Sequence, residues 1–209
     1  MKSIFKYLLM ALAIVLVGYN SVYFKKLSAV RKAGTGNFDA VSYAKSLWSE
    51  KLPAKLDSAV ELTNLIQAVE QNPSNAFTSY SNALGIGNYR YSLVRATCTA
   101  TLINEDEILL SIEHADSFLI ARLATEYIYG NAVRDASGLV DIKDFTNTTD
   151  LNNISEELNK KIRLEVLPPF KKQIKQGNKI EVVAAVELNK AHINFSDLEL
   201  IPVRLKIIQ

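Results

Sequence analysis

Residues Tyr89–Leu102 read YRYSLVRATCTATL, and this stretch decides the fold that the sequence predicts. Apolar residues alternate with polar ones along it, which is the period of a β-strand with one buried face. The alternation changes phase between Leu93 and Val94, as it does where a β-bulge inserts an extra residue. Because a bulge bends a strand strongly, we predict one long, bent strand of the kind found in small barrels.

Further strands are predicted downstream of the bent strand. The alternating stretches are Ile108–Ile112, Leu119–Leu123, Val140–Ile142, Ile180–Leu188 and Leu200–Ile207. Pro202 lies in the last of them and predicts that this strand either lies at an edge or begins late, because proline cannot donate a ladder hydrogen bond. A helix that begins near Asp150 is predicted between the strands. This order predicts an α+β fold in which residues 88–209 form an OB-like Greek-key barrel with an inserted helix.

Helical patterns precede the barrel. Apolar residues recur at helical spacing over Val41–Trp48, Leu56–Val69 and Ala76–Tyr80. We therefore predict a small helical annex over residues 38–87, on the N-terminal side of the barrel. Residues 27–37 contain two glycines among basic and polar residues, which predicts a linker.

Residues 1–26 predict a membrane anchor. Lys2 and Lys6 precede an uncharged apolar run, and Tyr7–Phe24 would span about 27 Å as a helix, close to the thickness of the hydrocarbon core. The same start is typical of an export signal, but no convincing cleavage site follows it. We interpret residues 1–26 as an uncleaved signal anchor in the inner or cytoplasmic membrane, with the domain on the periplasmic or extracytoplasmic side.

The charge of the chain argues against a nucleic-acid partner. The formal net charge is +2, but four of the 24 basic residues and none of the 22 acidic residues lie in residues 1–26. The rest of the chain therefore has a small excess of acid. Nucleic acid is bound by basic surfaces, so we expect no nucleic acid among the partners.

Few residues have the types that metal or covalent chemistry needs. Cys98 is the only cysteine, and its place in an alternating strand predicts a small buried side chain. His114 and His192 are the only histidines, and neither lies in a metal-binding motif such as HExxH. The nucleophile motif GxSxG is absent from the sequence. We expect no metal, no cofactor and no catalytic residue, and therefore a protein that is not an enzyme.

One motif stands out, VRDASG at Val133–Gly138 followed by DF-N at Asp144–Asn147. We predict that it spans the end of one strand, a turn and the next strand. Adjacent strand residues point to opposite faces, so Arg134 and Asp135 are not expected to pair with each other. Either Arg134 clamps an anionic or sugar-like ligand beside Asp144, or it forms a structural clasp with Asp144 or with turn carbonyls. Asp135 and Asn147 suit turn and capping roles, and the clasp is favoured.

With these motifs the chain resembles the predicted periplasmic lipoproteins of domain-of-unknown-function family 2291. The resemblance rests on FDAVSYAKSLW with a later LP and AVEL within Phe38–Leu62, on Asn72–Gly87, and on VRDASG…DF-N followed by Leu158-Asn159. It implies an exported protein, usually lipid-anchored, without an established activity. It also implies a role beside a sugar ABC transport system, because members are often encoded near such systems. This chain lacks the lipid-attachment cysteine, so the apolar run is expected to serve as the anchor.

Exposed aromatic rings on OB-like barrels bind sugars or single-stranded nucleic acid. The candidates for such a stacking surface are Tyr89, Tyr91, Tyr127 and Tyr129. Without a basic groove, a neutral sugar is the favoured ligand. The alternative is that these rings lie at the edge of the core, which is the commoner place for tyrosine.

Three functions stay open at this point. The favoured one is a non-catalytic binding or accessory module whose partner is an envelope or transporter protein or a small polar ligand. The alternative is a cell-envelope carbohydrate hydrolase that uses carboxylates near Arg134. It requires two of Asp135, Asp141 and Asp144 to lie about 5–10 Å apart in one concave pocket. The third is a structural interaction module of the cell envelope.

Overall fold

The computed structural model describes residues 38–115 and 117–208, together with residues 5–8, 10, 16 and 19. The chain divides into two compact units, Met1–Phe38 and Asp39–Gln209. The predicted anchor falls mostly on residues that are not among those described. Within the described part of the chain, no helix is both long enough and apolar enough to cross a membrane.

Short helices form the first part of the larger unit. They are α1 Ala40–Ser46, a π-helical turn Leu47–Lys51, α2 Leu52–Asp57, α3 Leu62–Gln71 and α4 Pro73–Tyr80. Asp39 caps α1, because its Oδ1 accepts hydrogen bonds from the N–H groups of Val41 and Ser42 at 3.1 Å each. The annex and the barrel, which we predicted as separate domains, lie within one compact unit.

The helix predicted over Leu56–Val69 is interrupted. A two-residue strand, β1 Val60–Glu61, pairs in parallel with the long strand that follows the annex. Arg95 of the long strand explains the break. Its Nε donates to the carbonyl of Ala59 at 2.9 Å and its Nη2 donates to the carbonyl of Asp57 at 2.7 Å. These bonds satisfy carbonyls at the end of α2, where the helix no longer supplies partners.

Five longer strands form a closed barrel. They are β2 Tyr89–Ile103, β3 Glu107–His114, β4 Ser117–Ala124, β5 Lys179–Asn189 and β6 Leu198–Ile208. Their order is β2-β3-β4-β6-β5, and β5 pairs with β2 to close the circle. The β4–β6 pairing is parallel, and the others around the barrel are antiparallel. The predicted α+β fold with a Greek-key barrel is confirmed, and β1 extends the sheet to six strands.

The phase change in β2 does not come from a bulge at that point. The pairing of β2 with β5 is regular from Tyr89 to Thr99, and the irregularity lies later, between Ala100 and Leu102 opposite β3. Leu93 and Val94 are both buried. A short helix, α5 (Ala132–Ser137), contacts β2 and covers its outer face, so both faces are apolar there. The predicted position of the bulge is therefore wrong.

A helical insertion replaces the strand predicted at Val140–Ile142. Between β4 and β5 lie α5, a 3-10 turn Ile142–Asp144, α6 Thr148–Lys161, a π-helical turn Ile162–Val166 and α7 Leu167–Lys171. Phe170 of α7 belongs to the same buried cluster as the inward-facing residues of the barrel strands. The insertion therefore contributes to the barrel core as well as covering the barrel.

Pro202 lies within β6 at an irregularity. The register between β5 and β6 shifts between Val183 and Ala184, and Pro202 lies opposite Ala184. Since β4 pairs with β6 only over residues 198–200, the part of β6 that contains Pro202 has β5 as its neighbour. A proline at an edge or a bulge does not break a ladder. The edge position predicted for Pro202 is confirmed for this part of the strand.

Candidate functional site

Helix α5 carries most of the VRDASG motif, where the sequence predicts strand and turn. All six of its residues are buried, because the helix packs against β2 and β5. Gly138 has a left-handed conformation, φ +62°, and its N–H donates to the carbonyl of Asp135 at 3.1 Å. A left-handed glycine commonly ends a helix. Ser137-Gly138 is therefore a helix end, and the predicted strand-turn-strand is wrong.

A buried ion pair between Arg134 and Asp135 lies at the centre of the candidate site. The Arg134 Nε to Asp135 Oδ1 distance is 2.7 Å, and the side chains are 8% and 2% exposed. Our prediction that these two residues would not pair is wrong, because it assumed strand geometry. Arg134 Nη1 also donates to the carbonyl of Leu151 at 3.0 Å, which ties α5 to the start of α6.

Asn131 donates a further hydrogen bond to the carboxylate of this ion pair. Its Nδ2 donates to Asp135 Oδ2 at 2.7 Å, so both carboxylate oxygens accept hydrogen bonds. Its Oδ1 accepts from the hydroxyl of Tyr91 at 3.4 Å. Burial is the largest cause that raises the pKa of Tyr91, and a hydrogen bond to Glu187 is the second. Together they raise this pKa to about 12. Tyr91 is therefore protonated at physiological pH.

Asp144 and Asn147 lie apart from this pair. Asp144 ends the 3-10 turn and is exposed, and its charge adds to burial in raising the pKa of Tyr43. The carboxylate that Arg134 contacts is Asp135, so the predicted contact with Asp144 is wrong. Asn147 takes the predicted capping role at the start of α6, because its Oδ1 accepts from the N–H of Asp150 at 3.0 Å. That cap places the helix start at Thr148 rather than near Asp150.

A cavity of about 410 Å³ opens beside Arg134. Besides Arg134 and the Gly130-Asn131 loop, its lining consists of side chains of α6, namely Asn152, Ser155, Glu156 and Asn159. Among the described residues, no hydrogen bond engages Arg134 Nη2. The cavity therefore offers a buried guanidinium donor that its structural contacts leave unused.

The cavity also offers acceptors. Asn159 Nδ2 donates to the carbonyl of Gly130 at 2.8 Å, which leaves its amide oxygen for a ligand. The Ser155 hydroxyl donates to the carbonyl of Leu151 at 3.3 Å and keeps its lone pairs. The charges around the cavity are balanced, because Arg134 pairs with Asp135 and Glu156 pairs with Arg163.

Apart from Arg134, the residues that line this cavity are not indicated as site residues by the sequence patterns. Asn131 lies before α5, while Ser155 and Asn159 lie on the inner face of α6, and none belongs to a recognisable chemical motif. Leu158-Asn159 was noted only as part of the family resemblance. The usable signal is the polar i, i+4 pair Ser155 and Asn159, which interrupts the apolar face of α6.

The left-handed glycine that ends α5 allows a matched test of this local structure. A Cβ at Gly138 would lie 3.0–3.1 Å from side-chain atoms of Asn82, whose Nδ2 donates to the carbonyl of Ala136 at 3.2 Å. At Gly130, φ is +78° and a Cβ would meet no atom within 4 Å. We expect Gly138→Ala to lower the free energy of unfolding by about 2–3 kcal/mol and Gly130→Ala by about 1 kcal/mol. Urea denaturation followed by circular dichroism measures both, and equal losses would contradict the role of Asn82.

The four tyrosines predicted as a stacking surface do not behave alike. Tyr91 is 7% exposed, so its ring is not available for stacking, and its place in that prediction is corrected. Tyr89, Tyr127 and Tyr129 are 54%, 68% and 61% exposed. The guanidinium carbon of Arg163 lies 5.2 Å from the ring centre of Tyr129, which is cation–π geometry.

Cys98 is buried, as predicted, and burial raises its pKa to about 12. The thiol is therefore protonated and unreactive at physiological pH. Within the described part of the chain, no group of three or more potential metal ligands comes together.

Comparison with known proteins supports the same fold. The domain is similar to an OB-fold protein of Thermotoga maritima whose crystal structure is known, with 27% sequence identity and a TM-score of 0.71. The similarity covers 82% of this chain and 99% of the other. No curated protein is significantly similar to the chain.

The family resemblance noted in the sequence is confirmed. The model of one family, the predicted periplasmic lipoproteins (DUF2291), matches residues 12–206. That match covers nearly the whole sequence, including the annex, the barrel and the helical insertion. The chain therefore belongs to the DUF2291 family of predicted periplasmic lipoproteins.

Proposed function

We propose that this protein is a membrane-tethered, extracytoplasmic binding module without catalytic activity, and that the cavity beside Arg134 binds a neutral polyhydroxylated ligand such as a small sugar. Membership of a family of predicted periplasmic lipoproteins supports the extracytoplasmic location. The only cysteine, Cys98, is buried in the barrel and is not a candidate for lipid attachment. The apolar N-terminal segment is therefore the proposed tether.

The observation that carries the proposal is the buried, charge-balanced guanidinium of Arg134 in a cavity lined by amides and a hydroxyl. Sugars present hydroxyl groups that both donate and accept hydrogen bonds, and they carry no charge to be balanced. Arg134 Nη2 can donate to such hydroxyls, while Asn159 Oδ1 and Ser155 Oγ can accept from them. A cavity of about 410 Å³ lies in the size range of small-molecule sites.

The positions of the carboxylates favour binding over glycoside hydrolysis. Asp135 is held by Arg134 and Asn131. Asp141 accepts a hydrogen bond from the N–H of Lys143 at 2.9 Å, and Asp144 is exposed. None of these three described acids lines the cavity beside Arg134. A pair of carboxylates facing one pocket, which glycoside hydrolysis needs, is therefore not formed by them.

Isothermal titration calorimetry of the full-length protein in uncharged detergent, with a panel of neutral mono- and disaccharides, tests the proposal. Asn152 and Ser155 line the cavity, while the neighbouring Asn153 is exposed and does not. Losing two hydrogen bonds is expected to weaken the binding of a sugar about tenfold in Asn152→Ala/Ser155→Ala. Asn153→Ala should bind like the wild type. Absence of heat with every sugar, or equal weakening by Asn153→Ala, would refute the proposal.

The partner of such a module stays a prediction. A tethered sugar-binding domain suits an accessory role beside a membrane transporter, as the family resemblance implies. Cross-linking in intact cells, followed by identification of the captured membrane protein, tests this role separately from ligand binding.

A further inference from the structure

A second cavity, of about 730 Å³, lies between α4, the start of β2 and the end of β5. Arg90 of β2 and Lys190, which follows β5, line it together with hydroxyl-bearing residues of α4 and Asn88. It shares no lining residue with the cavity beside Arg134. No acidic side chain lines it among the described residues.

Arg90 differs from the other arginines that the structure describes. Each of the others forms an ion pair with an acidic residue, the set being Arg95, Arg122, Arg134, Arg163 and Arg204. Among the described residues, neither Arg90 nor the Nζ of Lys190 has an ion pair or a side-chain hydrogen bond. Arg90 is half-buried at the wall of the cavity. Because no described acidic residue pairs with it, its guanidinium charge is not compensated there. Two unpaired cations facing one space favour an anionic occupant.

Further groups around the cavity narrow the chemistry of that occupant. Arg90, Lys190 and Asn88 together offer more donors than the two oxygens of a carboxylate can engage, whereas a phosphate presents three acceptor oxygens. Thr78 and Ser81 already donate their hydroxyl protons to helix carbonyls, so toward the cavity they act as acceptors. These hydroxyl oxygens lie beside the proposed anion site, so they can accept hydrogen bonds from hydroxyl groups of a ligand that also carries the anion.

We infer that this cavity is a binding site for a phosphorylated polyol, with Arg90 and Lys190 holding the phosphate and Thr78 and Ser81 accepting from its hydroxyls. Phe77, which is buried, supplies an apolar wall against which a carbon chain can pack. The arginine fork matches the geometry of phosphate oxygens, and Lys190 adds a mobile point charge. A soluble sugar phosphate or glycerol phosphate has this chemistry. The headgroup of phosphatidylglycerol shares the phosphate and the hydroxyl groups, and its phosphodiester leaves two free oxygens instead of three.

Calorimetry on the full-length protein in uncharged detergent, titrated with glycerol 3-phosphate, tests the site. Arg90→Ala/Lys190→Ala is expected to weaken binding at least about tenfold, because it removes two charge-assisted contacts. The matched control is Lys179→Ala/Lys206→Ala, which removes two exposed cations at the opposite end of β5. Binding in this control should equal that of the wild type. Absence of binding, or equal weakening in both double variants, would overturn the inference.

Mixed micelles distinguish the two sources of the phosphate. If micelles that contain phosphatidylglycerol displace glycerol 3-phosphate from the wild type, and micelles that contain phosphatidylcholine do not, the site binds a lipid headgroup. If neither lipid displaces it, the site binds a soluble phosphorylated polyol. Neither result depends on the Arg134 cavity, so a failure here leaves the neutral-sugar proposal standing.

Discussion

Arg134→Met is expected to lower the free energy of unfolding by about 3–5 kcal/mol, a large fraction of the stability of a domain of this size. The substitution leaves the carboxylate of Asp135 buried without its cation, since that side chain is 2% exposed. It also removes the hydrogen bond from Nη1 to the carbonyl of Leu151, which connects α5 to α6. Urea denaturation of the full-length protein, followed by far-UV circular dichroism, measures the loss.

Two further variants show how much of the loss in stability comes from the burial of the ion pair, and how much from the removal of an arginine charge. Arg204→Met removes an arginine whose pairing with Asp57 is exposed, and it should cost less than about 1 kcal/mol. Arg134→Met/Asp135→Leu removes both buried charges, so it should be more stable than Arg134→Met alone. If Arg134→Met costs no more than Arg204→Met, the ion pair is not the structural centre of this site.

This ion pair shows how far the sequence could predict the site. The VRDASG motif stands out in the sequence, because an Arg-Asp pair precedes a glycine and a second acidic residue precedes Phe145. Its geometry was mispredicted, because α5 has only six residues and is buried on every side. A helix of that length completes fewer than two turns, so no amphipathic period develops. Its backbone is fixed by packing against β2 and β5, which are distant in sequence.

The barrel strands were predictable, because their alternation of apolar and polar residues is a local pattern. The strands β3 and β4 each have one face in the core and largely alternate over eight residues, which is a strong local signal. β2 misled the prediction where α5 covers its outer face, because a strand buried on both faces loses its alternation. Local periodicity thus identified the strands, while contacts between distant segments decided the bulge, the short helix and the cavity.

The second large expected effect concerns the helical insertion and its contribution to the barrel core. Phe170 lies on α7, is 5% exposed and packs in the buried cluster formed by the barrel strands. Truncation of a buried phenylalanine leaves a cavity as well as losing burial of the ring. We therefore expect Phe170→Ala to lower the free energy of unfolding by about 3–5 kcal/mol in urea denaturation.

Leu164 gives the matched control, because it lies six positions earlier in the same helical segment and is 65% exposed. Leu164→Ala should change the free energy of unfolding by less than about 0.5 kcal/mol. A large difference between the two variants means that the insertion fills the barrel core and unfolds together with the strands. If the insertion only lay over the barrel, Phe170→Ala would cost as little as Leu164→Ala.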